Sequence, residues 1–312
     1  MSFTFSHPIS DFLIREEFRS GQKRKLNRVF LVEHKTLGIF GVLKHHQKTK
    51  GQEHLQQFLR NEALHSFHFM GLPETLAFSE TEQEILLVKS FQEGMALDLF
   101  WQQLKKRDRL SFLVSMLEKL LPLLCHLEER GVVHADIKPS NIIIQKNDDS
   151  FSISLIDFGM AFHPNDPGQR KLIFSLAYSP PELILQQLHL AGPHSDLFAL
   201  GVSVYQLLEG KLPWHHPNPA IMTNLQLTHP LPDSPAIPKK IKAILHRCCA
   251  KETFPKPPQM LSKQELEQIL QRGINQRYSS YDEMIHEIHS LDLHRESDAG
   301  IWNRLIKIFS KS

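Results

Sequence analysis

Apolar positions repeat every two residues in the first third of the chain and every three to four beyond Gly94. Val29-Phe30-Leu31-Val32 and Ile39 to Leu43 read as two strands, with Thr36-Leu37-Gly38 as the turn joining them. A helical stretch runs from about His54 to Phe67. Ile85 to Val88 is another strand, ending at Phe91-Gln92-Glu93-Gly94. Leu113, Met116, Leu117, Leu120, Leu121 and Leu124 then share one broad face, which predicts a helix over Phe112 to Glu128. Asp196 to Leu208, Ile241 to Cys249 and Tyr281 to Leu291 predict three more helices, the last with Ser279 or Ser280 as its N-cap. The proline-rich stretches 213–238 and 255–258 are expected to be loops. The pattern is that of an α+β protein with two lobes: a small β-rich lobe containing one helix, and a larger helical lobe.

With 41% apolar and 22% charged residues in 312, the chain has the composition of a globular protein large enough to bury a substantial core. Lys plus Arg number 36 against 34 Asp plus Glu, so the net charge of +2 gives no bulk argument for a nucleic-acid partner. Cys125, Cys248 and Cys249 do not make a disulfide framework, which favours a reducing compartment. The 19 histidines are scattered and are expected at the surface rather than on a metal. The N-terminus lacks the apolar core of a secretory signal, and no continuous apolar run approaches a membrane span. The expected location is the cytoplasm, although a protein secreted into a host cell would look the same.

The chemistry is concentrated in residues 133–159. His134-Ala135-Asp136-Ile137-Lys138-Pro139-Ser140-Asn141 precedes the apolar run Ile142 to Ile144 and a turn at Asn147-Asp148-Asp149. A second strand, Phe151 to Ile156, leads into Asp157-Phe158-Gly159. This layout resembles the catalytic and metal-binding loops of protein kinases, and its wording is most similar to Ser/Thr protein kinases of bacterial type. Further matches follow in the family's order. Val42-Leu43-Lys44 lies in the second early strand, Val29 lies fifteen residues upstream, and Glu62 lies eighteen residues downstream. Ala177-Tyr178-Ser179-Pro180-Pro181-Glu182, Asp196 to Gly201 and Asn275-Gln276-Arg277-Tyr278 come later. The resemblance covers about residues 15–290. It implies an N-terminal extension at 1–14, an N-lobe at 15–89, a hinge at 90–94, and a C-lobe at 95–292 with an insertion at 252–272. A tail at 293–312 follows.

The residue types suit the chemistry. A carboxylate at Asp136 can orient a hydroxyl nucleophile and take its proton. Oxygen donors on Asn141 and Asp157 suit Mg2+ or Mn2+, and Lys138 can reach the transferred phosphate as a point charge. The resemblance further implies ATP as the phosphate donor. Lys44 would hold its α- and β-phosphates, Glu62 would pair with Lys44, and Val29, Val42, Phe91, Ile143 and Gly21 would line the nucleotide site. Ser175, Tyr178 and Glu182 would form the substrate end of the activation segment, with Arg277 paired to Glu182. Lys138 and Ser175 stand where kinases acting on Ser or Thr of a protein carry them.

Several positions depart from the family pattern. The glycines of the nucleotide-covering G-x-G-x-x-G fall on Gln22, Arg24 and Asn27, in a stretch rich in Lys and Arg; Lys23, Arg24 or Lys25 reads as a contact to phosphate or to an acidic partner, or the stretch is a solvated hairpin tip. Ala135 replaces the Arg that receives an activation-segment phosphate. Asp157 to Glu182 contains no Thr, with Ser175, Tyr178 and Ser179 as its hydroxyls, so activity is expected without phosphorylation there. Lys89 occupies a normally apolar or Thr position at the back of the adenine pocket. Either it is buried and competes with Lys44 for Glu62, or the register shifts by one and Val88 takes the place. In the tail, Ile301, Trp302, Leu305, Ile306, Ile308 and Phe309 share a helical face. That face suits docking on its own lobe, a membrane surface or a protein partner through residues 299–312. Two other functions stay open: a pseudokinase acting as a binding module, and a small-molecule kinase on a related fold.

Overall fold

Alternating apolar residues build a sheet in the first third of the chain. In the computed structural model, residues 7–18, 27–147, 150–165 and 175–290 are described. Gly21, the basic stretch around it and the tail at 299–312 lie outside the described residues, as do Asp148, Asp149 and positions 166–174 of the activation segment. Contacts divide the chain into two units. Met1–Glu93 with Ser154–Ala161 form the first, and Gly94–Ile153 with Phe162–Ser312 the second.

The first unit contains β1 (Phe12–Glu17), β2 (Asn27–His34), β3 (Phe40–Gln47), α1 (Glu53–Leu64), β4 (Thr75–Glu80) and β5 (Glu84–Ser90). The five strands are antiparallel, in the order β1-β2-β3-β5-β4. Period-two alternation sorts their side chains. Phe30, Val32, Leu43 and Val88 pack with Leu76 and Ala77 on one face. Ile85 and Leu87 meet Leu59 and Ala63 of α1 on the other. Strand β1 straddles the expected boundary at residue 14: Phe12 pairs with His34, and a bulge interrupts the register between Ile14 and Glu16. Its residues Arg15-Glu16-Glu17 are charged, so alternation alone hides it. Ser154–Ala161 belong with this unit, although the sequence places them within the larger lobe.

The second unit begins with β6 (Met95–Ala96), α2 (Leu97–Gln103), α3 (Arg109–Glu129) and β7 (Ile142–Lys146). Strand β8 (Phe151–Leu155) leads back to the first unit. Gly94, at φ 132°, marks the start; a Cβ there would strike the carbonyl of Ile144. Helix α3 is long and apolar enough to cross a membrane, but its Phe112, Leu113, Met116, Leu120 and Leu124 are buried. Phe112 packs between Phe100 and Phe151, with centroids 5.0 and 5.1 Å away.

Five more helices and the 17-residue α5 complete the described chain: α4 (Pro181–Ile184), α5 (Pro193–Glu209), α6 (Pro219–Thr228), α7 (Lys239–Cys248), α8 (Lys263–Ile274) and α9 (Tyr281–His289). Helix α6 corrects the expectation of loop throughout 213–238. Pro219 sits at its first position, where the missing N–H costs nothing, and Asn218 Oδ1 caps Ala220 N at 2.9 Å. Ser262 and Glu265 form a capping box that starts α8 within the expected insertion. Ser280 caps α9 by accepting from Glu283 N at 3.2 Å. Buried Cys248 and Cys249 lie against Gly201 of α5, where a Cβ would come within 2.7 Å of Cys248 Cβ; the two cysteines fill a close helix contact.

Candidate active site

One group of candidate residues lies within the first unit. Val29 pairs with Lys44 across β2 and β3, and Val42 lies two residues before Lys44, so all three share the face that α1 covers. Lys44 Nζ donates to Glu62 Oε1 and Oε2, both at 2.7 Å, and to Asp157 Oδ1 at 3.2 Å. Burial lowers the Lys44 pKa, but the charges of Asp157 and Glu62 more than offset this and hold it above the ordinary lysine range. Burial also pushes the Glu62 carboxyl upward, with Lys44 opposing. Phe91 is half-buried after β5, and its N–H donates to Phe40 O at 3.1 Å.

Asp157 stands at φ 71°, a left-handed conformation that a non-glycine residue adopts only when its neighbours fix it. Asn61 anchors the residues that follow. Its buried side-chain amide donates to Gly159 O at 2.8 Å, Ala161 O at 2.7 Å and, more weakly, Phe158 O at 3.4 Å. The ring of Phe58 covers Gly159 so closely that a Cβ there would collide with it. Phe158 is buried against Phe67 at 4.8 Å. Sequence reasoning singled out Glu62 and passed over its neighbour Asn61, since backbone acceptors have no signature of their own.

Lys89 is buried, as the first alternative has it, but it does not compete with Lys44 for the Glu62 carboxylate. It is 3% exposed, and its Nζ donates to His65 O at 2.6 Å, Thr75 Oγ1 at 2.9 Å and Glu62 O at 3.4 Å. It meets a backbone carbonyl of Glu62 and leaves that carboxylate to Lys44. Val88 is buried on the opposite face of β5.

The other group lies within the second unit. Ala135 is at φ 61°, and the carboxylate of Asp196 accepts from His134 N at 2.8 Å and Ala135 N at 2.9 Å. This turn presents Asp136, which is 4% exposed. Asp136 Oδ2 accepts from Lys138 Nζ at 2.6 Å and Asn141 Nδ2 at 3.0 Å. Its Oδ1 is buried with no partner among the described residues. Lys138 also donates to Ser175 Oγ at 3.1 Å, and Tyr178 Oη donates to Gln206 at 2.7 Å. Ala135, Asp136, Ser175, Tyr178 and Leu183 line a small cavity. Ile143 is half-buried in β7. Glu182 is fully buried; Arg277 Nη1 and Ser195 Oγ each donate to its Oε1 at 2.8 Å. Burial opposes ionisation there, but Arg277 leads the groups that hold the Glu182 carboxyl below its ordinary range.

Each group carries an oxygen donor of the type a hard divalent cation takes. Asn141 directs its amide nitrogen to Asp136 O at 2.9 Å and to Oδ2, so its amide oxygen is the atom it could offer a cation. Asp157 keeps its carboxylate 27% exposed beside Lys44. Both offer oxygen, as Mg2+ or Mn2+ requires.

Residues 25–286 match the protein kinase domain. The Aurora kinase of Yarrowia lipolytica is 27% identical over 222 residues, which cover 70% of this chain and 57% of that protein. Sperm motility kinase 2A of Mus musculus is 30% identical over 139 residues, 43% of this chain and 26% of its own length. Ribosomal protein S6 kinase alpha-4 of Homo sapiens is 40% identical over 90 residues, 28% of this chain and 11% of its own length. The chain thus spans between about a tenth and three-fifths of these relatives. The domain match takes in both groups of side chains, from Lys44 to Arg277, and the chain belongs to the protein kinase family.

Proposed function

We propose that the chain is an active serine/threonine protein kinase that transfers the γ-phosphoryl group of ATP to a protein hydroxyl, with Mg2+ or Mn2+. The observation that carries this reading is Asp136. One carboxylate oxygen is held by Lys138 and Asn141, while the other is buried and unpartnered among the described residues. A buried acceptor without a donor is costly, and an incoming hydroxyl supplies the missing donor.

Asp136 Oδ1 orients the acceptor hydroxyl and takes its proton as oxygen bonds to phosphorus and the bond to the departing ADP breaks. Lys138, fixed by Asp136 and Ser175, places a positive charge where the phosphoryl group passes. Lys44, fixed by Glu62, steadies the nucleotide phosphates. Asn141 and Asp157 would hold the metal, which screens phosphate charge when bound. Lys138 and Ser175 support Ser/Thr over Tyr as acceptor, by the family pattern. Ala135, in place of Arg, supports activity without activation-segment phosphorylation; loss of activity on phosphatase treatment, restored by ATP, would contradict this. A cytoplasmic location follows as a proposal, and fluorescent fusions with and without residues 299–312 test whether the tail adds membrane attachment.

The deciding experiment is transfer from labelled ATP with magnesium, wild type against Asp136→Ala, followed by identification of the labelled residue. A fall of roughly 10²–10⁴-fold in the variant is expected. The glycine-poor stretch at 20–28 favours a second reading, a pseudokinase. Absence of transfer together with absent or metal-independent nucleotide binding would establish it.

A further inference from the structure

The last turn of an α-helix leaves backbone carbonyls without intrahelical donors, and they collect the negative end of the helix dipole. Helix α1 ends without a basic residue in its own last turn, and its C-cap His65 is not left-handed. Its carbonyls are instead met by side chains. His65 Nδ1 lies 2.9 Å from Asn61 O, and Thr75 Oγ1 donates to Ala63 O at 2.9 Å. Lys89 meets the carbonyls of Glu62 and His65, and the hydroxyl oxygen of Thr75.

An ammonium has three protons, and three acceptors surround this one. A neutral amine would present a lone pair to a site made of acceptors. Burial lowers the Lys89 pKa to about 7, with Glu62 opposing and Lys44 adding to the fall; Glu74 also opposes it. Around Glu62 the neighbouring charges are Lys44, Asp157 and Lys89. Asp157 raises the Glu62 carboxyl's pKa, whereas Lys89 lowers it.

Glu62 stands in the turn that Lys89 caps. Its carboxylate is on Lys44 and its carbonyl is on Lys89. We propose that Lys89 is a positioning residue, whose ammonium caps the C-terminal end of α1 from strand β5 and so holds the Glu62 carboxylate on Lys44. The proposal rests on the reading of Lys44 and Glu62 as the pair that steadies the nucleotide. It gives Lys89 a task that a residue lining an adenine pocket would not have: it acts on the helix, through the backbone.

The test uses the full chain and two readouts. Hydrogen exchange without nucleotide is compared among wild type, Lys89→Met and Thr75→Val. Met keeps the apolar length of the stem, and Val removes one acceptor if the Met variant fails to fold. Exchange over residues 61–67 is expected to rise at least tenfold in Lys89→Met and less in Thr75→Val, with α3 unchanged. Affinity for ATP with magnesium is then measured in Lys89→Met, Glu62→Gln and the double variant. Lys89→Met should weaken binding about tenfold, and adding it to Glu62→Gln should weaken binding no further, because both act through one pair. Unchanged exchange at 61–67, a uniform rise across both units, or a Lys89→Met loss that persists in full on the Glu62→Gln background would overturn the proposal. If the wild type binds no ATP, the functional reading fails on its own, and the exchange at 61–67 still decides whether Lys89 caps the helix.

Discussion

The carboxylate of Asp196 accepts the backbone N–H of Ala135 at 2.9 Å while Ala135 is held at φ 61°. The catalytic-loop candidate Asp136 is therefore aimed by a buried acid sixty residues away in sequence. Replacing Asp196 by Asn exchanges one acceptor oxygen for a donor facing an N–H. A charge-assisted hydrogen bond of this kind contributes about 1.5–3 kcal/mol. Asp196→Asn should lower phosphotransfer by tenfold or more and depress the thermal midpoint. Ala135→Gly should hold or raise that midpoint, since glycine carries no left-handed penalty. Calorimetry and initial rates check both.

Asn61 donates to carbonyls at Phe158, Gly159 and Ala161. Asn61→Asp would set carboxylate oxygens against them. A buried polar group without its partner costs about 1–3 kcal/mol, and more when charged. Nucleotide affinity should fall in Asn61→Asp and fall less in Asn61→Ala, as read by titration with ATP and magnesium.

Gly159 has no room for a methyl group beneath Phe58. Overpacking of this kind costs about 1–3 kcal/mol. Gly159→Ala should lower stability and activity together, and Phe58→Leu in the same chain should restore part of both. A double-mutant cycle on denaturant midpoints gives the coupling; strict additivity would count against the contact.

Glu80 joins three elements of the first unit: Lys48 Nζ at 2.6 Å, after β3, and Arg60 Nη2 at 2.6 Å, on α1, both meet its Oε1 in β4. The hydrogen bond from Arg60, then that from Lys48, pulls the Glu80 pKa from 4.5 down to about 2. The folded state thus favours the ionised form. The contribution is complete above about 4.5 and is lost as pH falls toward about 2. Urea midpoints measured from pH 5 to 2 should fall more steeply for wild type than for Glu80→Gln.

Much of this was readable in the sequence, for reasons that differ by residue. Period and loop chemistry mark the second early strand around Lys44, the helices around Leu117 and Leu200, and the Asp136 and Asp157 loops. Strand β1 is hidden because Arg15-Glu16-Glu17 lie at an exposed sheet edge, where alternation has no burial to report. Helix α6 is hidden because Pro219 signals a break from within a segment but a start at a first turn. Lys89 is the clearest limit. Its sequence position shows that a buried charge needs partners, but those partners are two carbonyls and a hydroxyl that become neighbours only when α1, β4 and β5 assemble.

Asn61 and Glu62 are adjacent, so on a helix of 3.6 residues per turn they point about 100° apart. One grips the loop that begins at Asp157, and the other grips Lys44. A roll of α1 that preserved one grip would break the other. The helix therefore works as a coincidence detector: it rests in this orientation only when the sheet's lysine and the loop's carbonyls are both in register, and either one alone leaves it half-engaged.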